Sequence, residues 1–389
     1  MIAYNKTWLA NLRLQDEVKE DVRQGNISDA EFKAIEQKYP VGFYTPNLFV
    51  RIGLFILTCI IMSFGDGLLS LMVASGNIIG SFGWFFFLGI LAYVGLEIMV
   101  NINNHYRSGV DDALLFISGS LFATGFGIML LENNNDINYL PLSGLIFLLT
   151  LGLSIRFADM LAAAVCCLSF FAFIFFAWTK TVSADLSTAP FIMMLASAGI
   201  YWLANRFSKQ KAYINYANCL VIAQVVALVA LYASGNYYII QTLSVEMMGK
   251  TGPVPFGMIF WAWTILMPFA YIGFGLKWKD VILLRVGLLL IAAAALTFRT
   301  YYYILPVDAA LTIVGIIILA AVYALVKYLK TPKHGFTYVE PGEVNLLDHL
   351  KVESLIVAET FSHVPAAPTN DNVKFGGGDF GGGGSSGGF

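Results

Sequence analysis

The chain has 389 residues, 58% apolar and 12% charged, with a mean hydropathy of +0.72, whereas an ordinary soluble domain is about 45–50% apolar and about 25% charged. A water-facing exterior of the usual kind is excluded. The net charge of −2 and the scattered basic residues exclude a nucleic-acid footprint and a polyacidic tail. Of the 23 basic and 25 acidic residues, 13 fall in residues 1–46 and 12 in residues 327–389, which leaves 23 for the 280 residues between. That gradient describes a membrane body with two aqueous ends.

Residues 6–24 place Trp8, Leu12, Val18 and Val22 on one broad face and Asp16, Glu17, Lys19, Glu20 and Arg23 in water, the pattern of an amphipathic helix. Gly25-Asn26 ends it, because both residues tolerate the left-handed conformation that stops a helix. Ser28-Asp29-Ala30-Glu31 starts a second helix, with Ser28 as N-cap and Glu31 completing a capping box. It runs to Tyr39, and Pro40 and Pro46 close it. Residues 1–46 are expected to form a cytoplasmic helical hairpin without a signal-peptide pattern.

From Asn47 the apolar stretches lengthen toward the roughly 20 residues that a bilayer core requires. Ten are predicted: 48–72, 80–100, 112–131, 138–154, 160–178, 189–204, 214–233, 254–276, 281–298 and 308–326, the fourth and sixth being the shortest on apolar content. No period-2 alternation is present, which excludes a β-barrel. The predicted fold class is all-α: a polytopic membrane helix bundle of about ten transmembrane helices over residues 47–330. With a cytoplasmic N-terminus, the inside loops hold Arg107, Arg156, Arg206, Lys209, Lys211, Lys277 and Lys279, and the outside loops hold Lys180, Lys250 and Arg299. The bias predicts N-in and C-in. No pair of broken helices marks an inverted repeat.

Residues 331–374 are expected as a cytoplasmic segment with one amphipathic helix over 343–361, where Leu346, Leu347, Leu350, Val357 and Phe361 form a stripe. The Gly-rich tail 375–389, FGGGDFGGGGSSGGF, is expected to be disordered. The lipid bilayer is the expected partner throughout. Residues 1–40 or 343–389 are the expected attachment points for a protein partner, and no nucleic acid is expected.

Ionisable groups inside membrane spans are the default functional candidates. Asp66 sits between Gly65 and Gly67 late in the first span, where the glycines are expected to interrupt the helix and present a carboxylate. Glu97 and Arg285 lie near the inner ends of the second and ninth spans. Arg299 and Asp308 flank the external turn FRTYYYILPVD, poised to pair. These five are the ligand-binding candidates, each with a structural alternative: snorkelling for Glu97 and Arg285, a locked hairpin for Arg299 and Asp308, an interfacial loop carboxylate for Asp66. Pro268 predicts a kink in the eighth span. His105, His334, His349 and His363 all lie in loops or the tail, and no P-loop or HExxH pattern occurs. No catalytic residue, metal or cofactor is therefore expected, and the protein reads as a non-enzyme. Cys59, Cys166, Cys167 and Cys219 read as small buried hydrophobes.

VRQGNISDAEFKAIEQKY, followed at once by a hydrophobic span, resembles the N-terminal cytoplasmic hairpin of an uncharacterised bacterial family of many-span membrane proteins, a domain of unknown function. The stretch LLRVGLLLIAAAALTFRTYYYILP, with a span ending YALVKYLK, resembles the C-terminal part of the same group. The resemblance implies a multi-pass inner-membrane protein and carries over no catalytic residues. The Gly-rich ending is similar in composition to those of TPM-domain membrane proteins. Two functions follow as expectations: binding or transport of a small or lipidic ligand, or a membrane-anchored scaffold or sensor acting through its cytoplasmic ends. An intramembrane enzyme acting on lipid lacks an acid–base pair.

Overall fold

A computed structural model describes residues 2–23, 25–76, 78–134, 138–181, 186–248 and 254–301, with separate positions between 309 and 327. Among the described residues there are twelve α-helices and no strand: α1 Lys6–Arg23, α2 Asp29–Lys38, α3 Leu48–Met72, α4 Phe82–Asn101, α5 Val110–Asn134, α6 Tyr139–Phe157, α7 Met160–Thr181, α8 Ala189–Ser208, α9 Ala217–Gly235, α10 Tyr237–Met248, α11 Gly257–Trp278 and α12 Val281–Tyr301.

Eight of them are long and apolar enough to cross a membrane: α3, α4, α5, α6, α7, α9, α11 and α12. Their outward residues are greasy. Met258 is 90% exposed, Met72 79%, Leu71 73% and Phe64 71%, a surface that is stable against acyl chains and not against water. The architecture is that of a multi-pass integral membrane protein. The expected sixth span is α8, a full twenty-residue helix, but Pro190, Asn205 and Arg206 lower its apolarity and it is not among the eight. Of the expected tenth span, 308–326, only separate positions are described, and the expected helix at 343–361 and tail at 375–389 lie outside the described residues.

Consecutive helices pack as hairpins, α4 with α5, α6 with α7, α8 with α9 and α11 with α12, while α7 against α9 joins the two halves. Short connections between antiparallel neighbours favour this order. The hairpin end of the bundle is called proximal here and the opposite end distal. One core, at the proximal end of the first half, gathers Leu96, Val100, Leu114, Leu115, Leu153, Phe157 and Ala162. A second, in α9, α11 and α12, gathers Leu228, Tyr232, Tyr271, Leu283, Val286 and Leu290.

The expected interruption at Gly65-Asp66-Gly67 does not occur. α3 is continuous from Leu48 to Met72, because two glycines lower helix propensity by only about 1 kcal/mol each, less than exposing backbone polar groups to lipid costs. No residue of α3 is buried. It leans on α5 and does not pack along α4. At its start, Gly109 (φ +95°) lies where an added Cβ would overlap the Arg51 carbonyl oxygen, so glycine alone permits this crossing. Pro268 lies buried within the helix that spans Gly257–Trp278.

Candidate functional site

The proximal end is where the sequence brings most of its polar chemistry together. α1 and α2 form as expected: Glu31 Oε2 accepts from the Ser28 backbone N–H at 2.9 Å, and Ser28 Oγ accepts from the Glu31 N–H at 3.4 Å. The Ser28 backbone N–H and the Ser28 hydroxyl, which donates to the same carboxylate at 2.7 Å, hold the exposed Glu31 carboxyl below its ordinary value. The hairpin is not suspended in water. The Ala3 N–H donates to the Arg156 carbonyl at 2.8 Å, and Tyr4 is buried in the proximal core beside Leu96 and Phe157. Tyr4 meets Tyr106 edge-on at 4.8 Å, Phe43 stacks on Tyr106 at 5.1 Å, and Trp8 meets Phe43 edge-on at 5.2 Å. Gly42 makes room for the Trp8 ring. One turn after Leu9, Arg13 Nη2 donates to Asn215 Oδ1 at 2.8 Å, in the 3-10 turn Lys211–Tyr216 before α9. The hairpin thus touches both halves of the bundle.

Burial pushes the Tyr4 phenol well above its ordinary range, with Asp111 adding to the effect, and burial raises Tyr106 as well. Both stay neutral clasp residues rather than proton donors.

Beneath the clasp lie two ion pairs. Arg156 Nε and Nη2 each donate to a Glu97 carboxylate oxygen at 2.9 Å, joining α6 to α4, and Tyr93 Oη donates to Glu97 at 2.8 Å. Arg51 donates through Nε at 2.9 Å and lies at 2.7 Å through Nη2 to Asp112, joining α3 to α5. Asp111, 3% exposed, closes the first turn of α5 by accepting from the N–H groups of Arg107 and Ser108, each at 2.8 Å. Asp159 caps α7 by accepting from the Ala162 N–H at 2.8 Å. Each anion therefore has a structural partner.

The distal end of the second half holds a neutral knot. Asn236, 2% exposed, donates to Tyr232 Oη and to Thr297 Oγ1, each at 3.0 Å. Its Oδ1 accepts from the N–H groups of Tyr238 and Ile239 at 3.0 and 3.3 Å, capping α10. Thr264 Oγ1 accepts from the Tyr237 N–H at 3.0 Å. α9, α10, α11 and α12 are tied by one amide and three hydroxyls.

The four sequence candidates that are described, Asp66, Glu97, Arg285 and Arg299, do not converge. Glu97 is the acid of the α4–α6 pair and does not snorkel alone: Arg156, expected in a loop, lies in the last turn of α6 within reach of it. Asp66 is on α3, roughly 27 Å along the helix from Leu48 at 1.5 Å per residue, in its distal part. Arg285 lies in the second turn of α12 and Arg299 in its last. Asp308 and its expected pairing with Arg299 lie outside the described residues. Arg51, Asp111, Asp112 and Asn236 escaped the sequence reading. The signal for the first three was present, since opposite charges begin the first and third spans. Asn236 stood in what read as an external loop. Among the described residues no three His, Cys, Asp or Glu side chains gather to hold a metal, and the four cysteines are free thiols, Cys166 and Cys219 buried. No family model, curated protein or solved structure matches this chain.

Proposed function

We propose that this integral membrane protein is a non-enzymatic sensor or scaffold of the bacterial inner membrane that acts through its N-terminal hairpin, with the proximal end facing the cytoplasm. The docked hairpin carries this reading. A tether for an aqueous domain has no need of Tyr4 in the proximal core of the bundle or of the Ala3–Arg156 bond, whereas an element that reports the arrangement of α4, α5 and α6 does. α2 supports it too: it has no buried residue and leaves its outer face for a partner. In a strain lacking the protein, exchanging surface residues of α2, such as Glu36→Lys with Lys33→Glu, is expected to remove complementation of the deletion phenotype at unchanged membrane abundance. Retained complementation by these variants and by a chain lacking residues 1–41 would overturn the reading.

Ligand binding or transport is the second reading, favoured by one observation. Among the described residues the Asp66 carboxylate makes no hydrogen bond or ion pair, whereas Glu97, Asp111 and Asp112 of the long apolar helices are each held by one. Abolished uptake or binding on Asp66→Asn, with the hairpin variants silent, would favour it over the sensor.

A further inference from the structure

We propose that the distal seam between α3 and α4 is a binding site for a primary alkylammonium ion, with Asp66 as its counter-charge. The inference goes beyond the sensor reading and stands or falls separately from it. Asp66 is half-buried. Its neighbours on the helix fix where it points, since residues three and four apart share a face. One turn before it, Met62 packs against the proximal core. One turn after it, Ser70 Oγ accepts the indole N–H of Trp84 of α4 at 3.3 Å. Asp66 therefore faces the same seam as these two side chains.

The seam is open, because α3 does not pack along α4 and no residue of α3 is buried. Its polar atoms share one character. Ser70 Oγ donates its proton to the Asp66 carbonyl at 2.7 Å, and Ser63 Oγ donates to the Cys59 carbonyl at 2.8 Å. Both hydroxyls are thereby left as acceptors, and Trp84 has given its only N–H to Ser70. The seam offers acceptor oxygens, a carboxylate and apolar walls, with no side-chain donor among these residues. It is the complement of a group that carries several N–H donors and a positive charge on an apolar body. A metal ion is a poorer match, since hard cations take about six oxygen ligands and Asp66 belongs to no group of three His, Cys, Asp or Glu side chains among the described residues. An anion is repelled.

The test uses the full chain in nanodiscs of zwitterionic lipid and equilibrium dialysis against radiolabelled decylammonium, with empty nanodiscs subtracted. One saturable site per chain is expected. Asp66→Asn should weaken it about tenfold or more, and Asp66→Glu, which keeps the charge, should hold it within about threefold. Neutral decanol should not compete, and decyltrimethylammonium, a cation without N–H donors, should compete poorly. Circular dichroism and a monodisperse elution profile establish that Asp66→Asn is folded. Equal binding by wild type and Asp66→Asn, no binding above empty discs, competition by decanol as strong as by unlabelled probe, or displacement by sodium would each overturn the proposal.

Discussion

The proximal end of the first half and the distal end of the second half solve the same problem with different chemistry. The proximal end joins helices by charge: Arg51 with Asp112 and Glu97 with Arg156, under a cover of Tyr4, Phe43 and Tyr106. The distal end joins them by neutral hydrogen bonds centred on Asn236. Exposure accounts for the difference. The side chains of the ion pairs are 22–37% exposed, so part of their hydration survives, whereas Asn236 and Thr264 are sealed. A sealed ion pair pays a desolvation penalty that its own attraction repays only with ideal geometry. A sealed amide with all its bonds made does not.

The contrast can be broken most severely at its geometric base. Gly109→Ala places a side chain in a left-handed backbone and against the Arg51 carbonyl. A loss of about 3 kcal/mol or more, from strain and lost packing together, is expected, read as a large drop in thermal stability in detergent with α3 detached from α5. Next comes the neutral knot. Asn236→Ala removes two donated bonds and the cap of α10, for an expected loss of about 2 kcal/mol. Raising salt should leave this difference unchanged, because no charge is involved.

The ion pairs should respond less and in a coupled way. Glu97→Gln and Arg156→Gln are each expected to lower stability by about 1 kcal/mol, the exposure of both side chains limiting the effect. The double variant should lose less than their sum, as measured in a double-mutant cycle at two salt concentrations. Additive losses would show that the pair does not couple α4 to α6. The smallest effect concerns pH. The folded-state value of Glu31 lies below its ordinary one, so the cap is strongest with the carboxylate ionised, above the ordinary carboxylate range. It is lost as pH falls through the lowered value. Hydrogen exchange in the first turn of α2 should accelerate on acidification before α1 changes, and Glu31→Gln should remove that dependence.

Local features were legible in the sequence because they depend on neighbours. The Ser28 and Glu31 capping box, the stop at Gly25 and the first span at Leu48–Met72 follow from residues a few positions apart. Contacts across distance were not. Nothing near Glu97 in the chain announces Arg156, 59 residues away, and Tyr4 looks like any residue of a polar terminus until it is seen in the core. α10 was hidden for a related reason. Its twelve residues mix Tyr, Ile, Gln, Thr and Glu without a long apolar run, and its start depends on the Asn236 cap. Gly65-Asp66-Gly67 carries the local signal of a break, yet the helix continues through it, because in lipid the backbone keeps its helix wherever it has no other partner.

The docking of the hairpin on the bundle is tested most directly by a cross-link between Arg13 and Asn215, whose side chains meet at 2.8 Å. In a background with the four native cysteines replaced, Arg13→Cys with Asn215→Cys is treated in native membranes with a short flexible bis-maleimide. The account predicts near-complete intramolecular linkage, seen as joined fragments after proteolysis between α2 and α3, and little linkage for Lys33→Cys with Asn215→Cys. Equal, low linkage in both pairs would mean that the hairpin hangs free of the bundle.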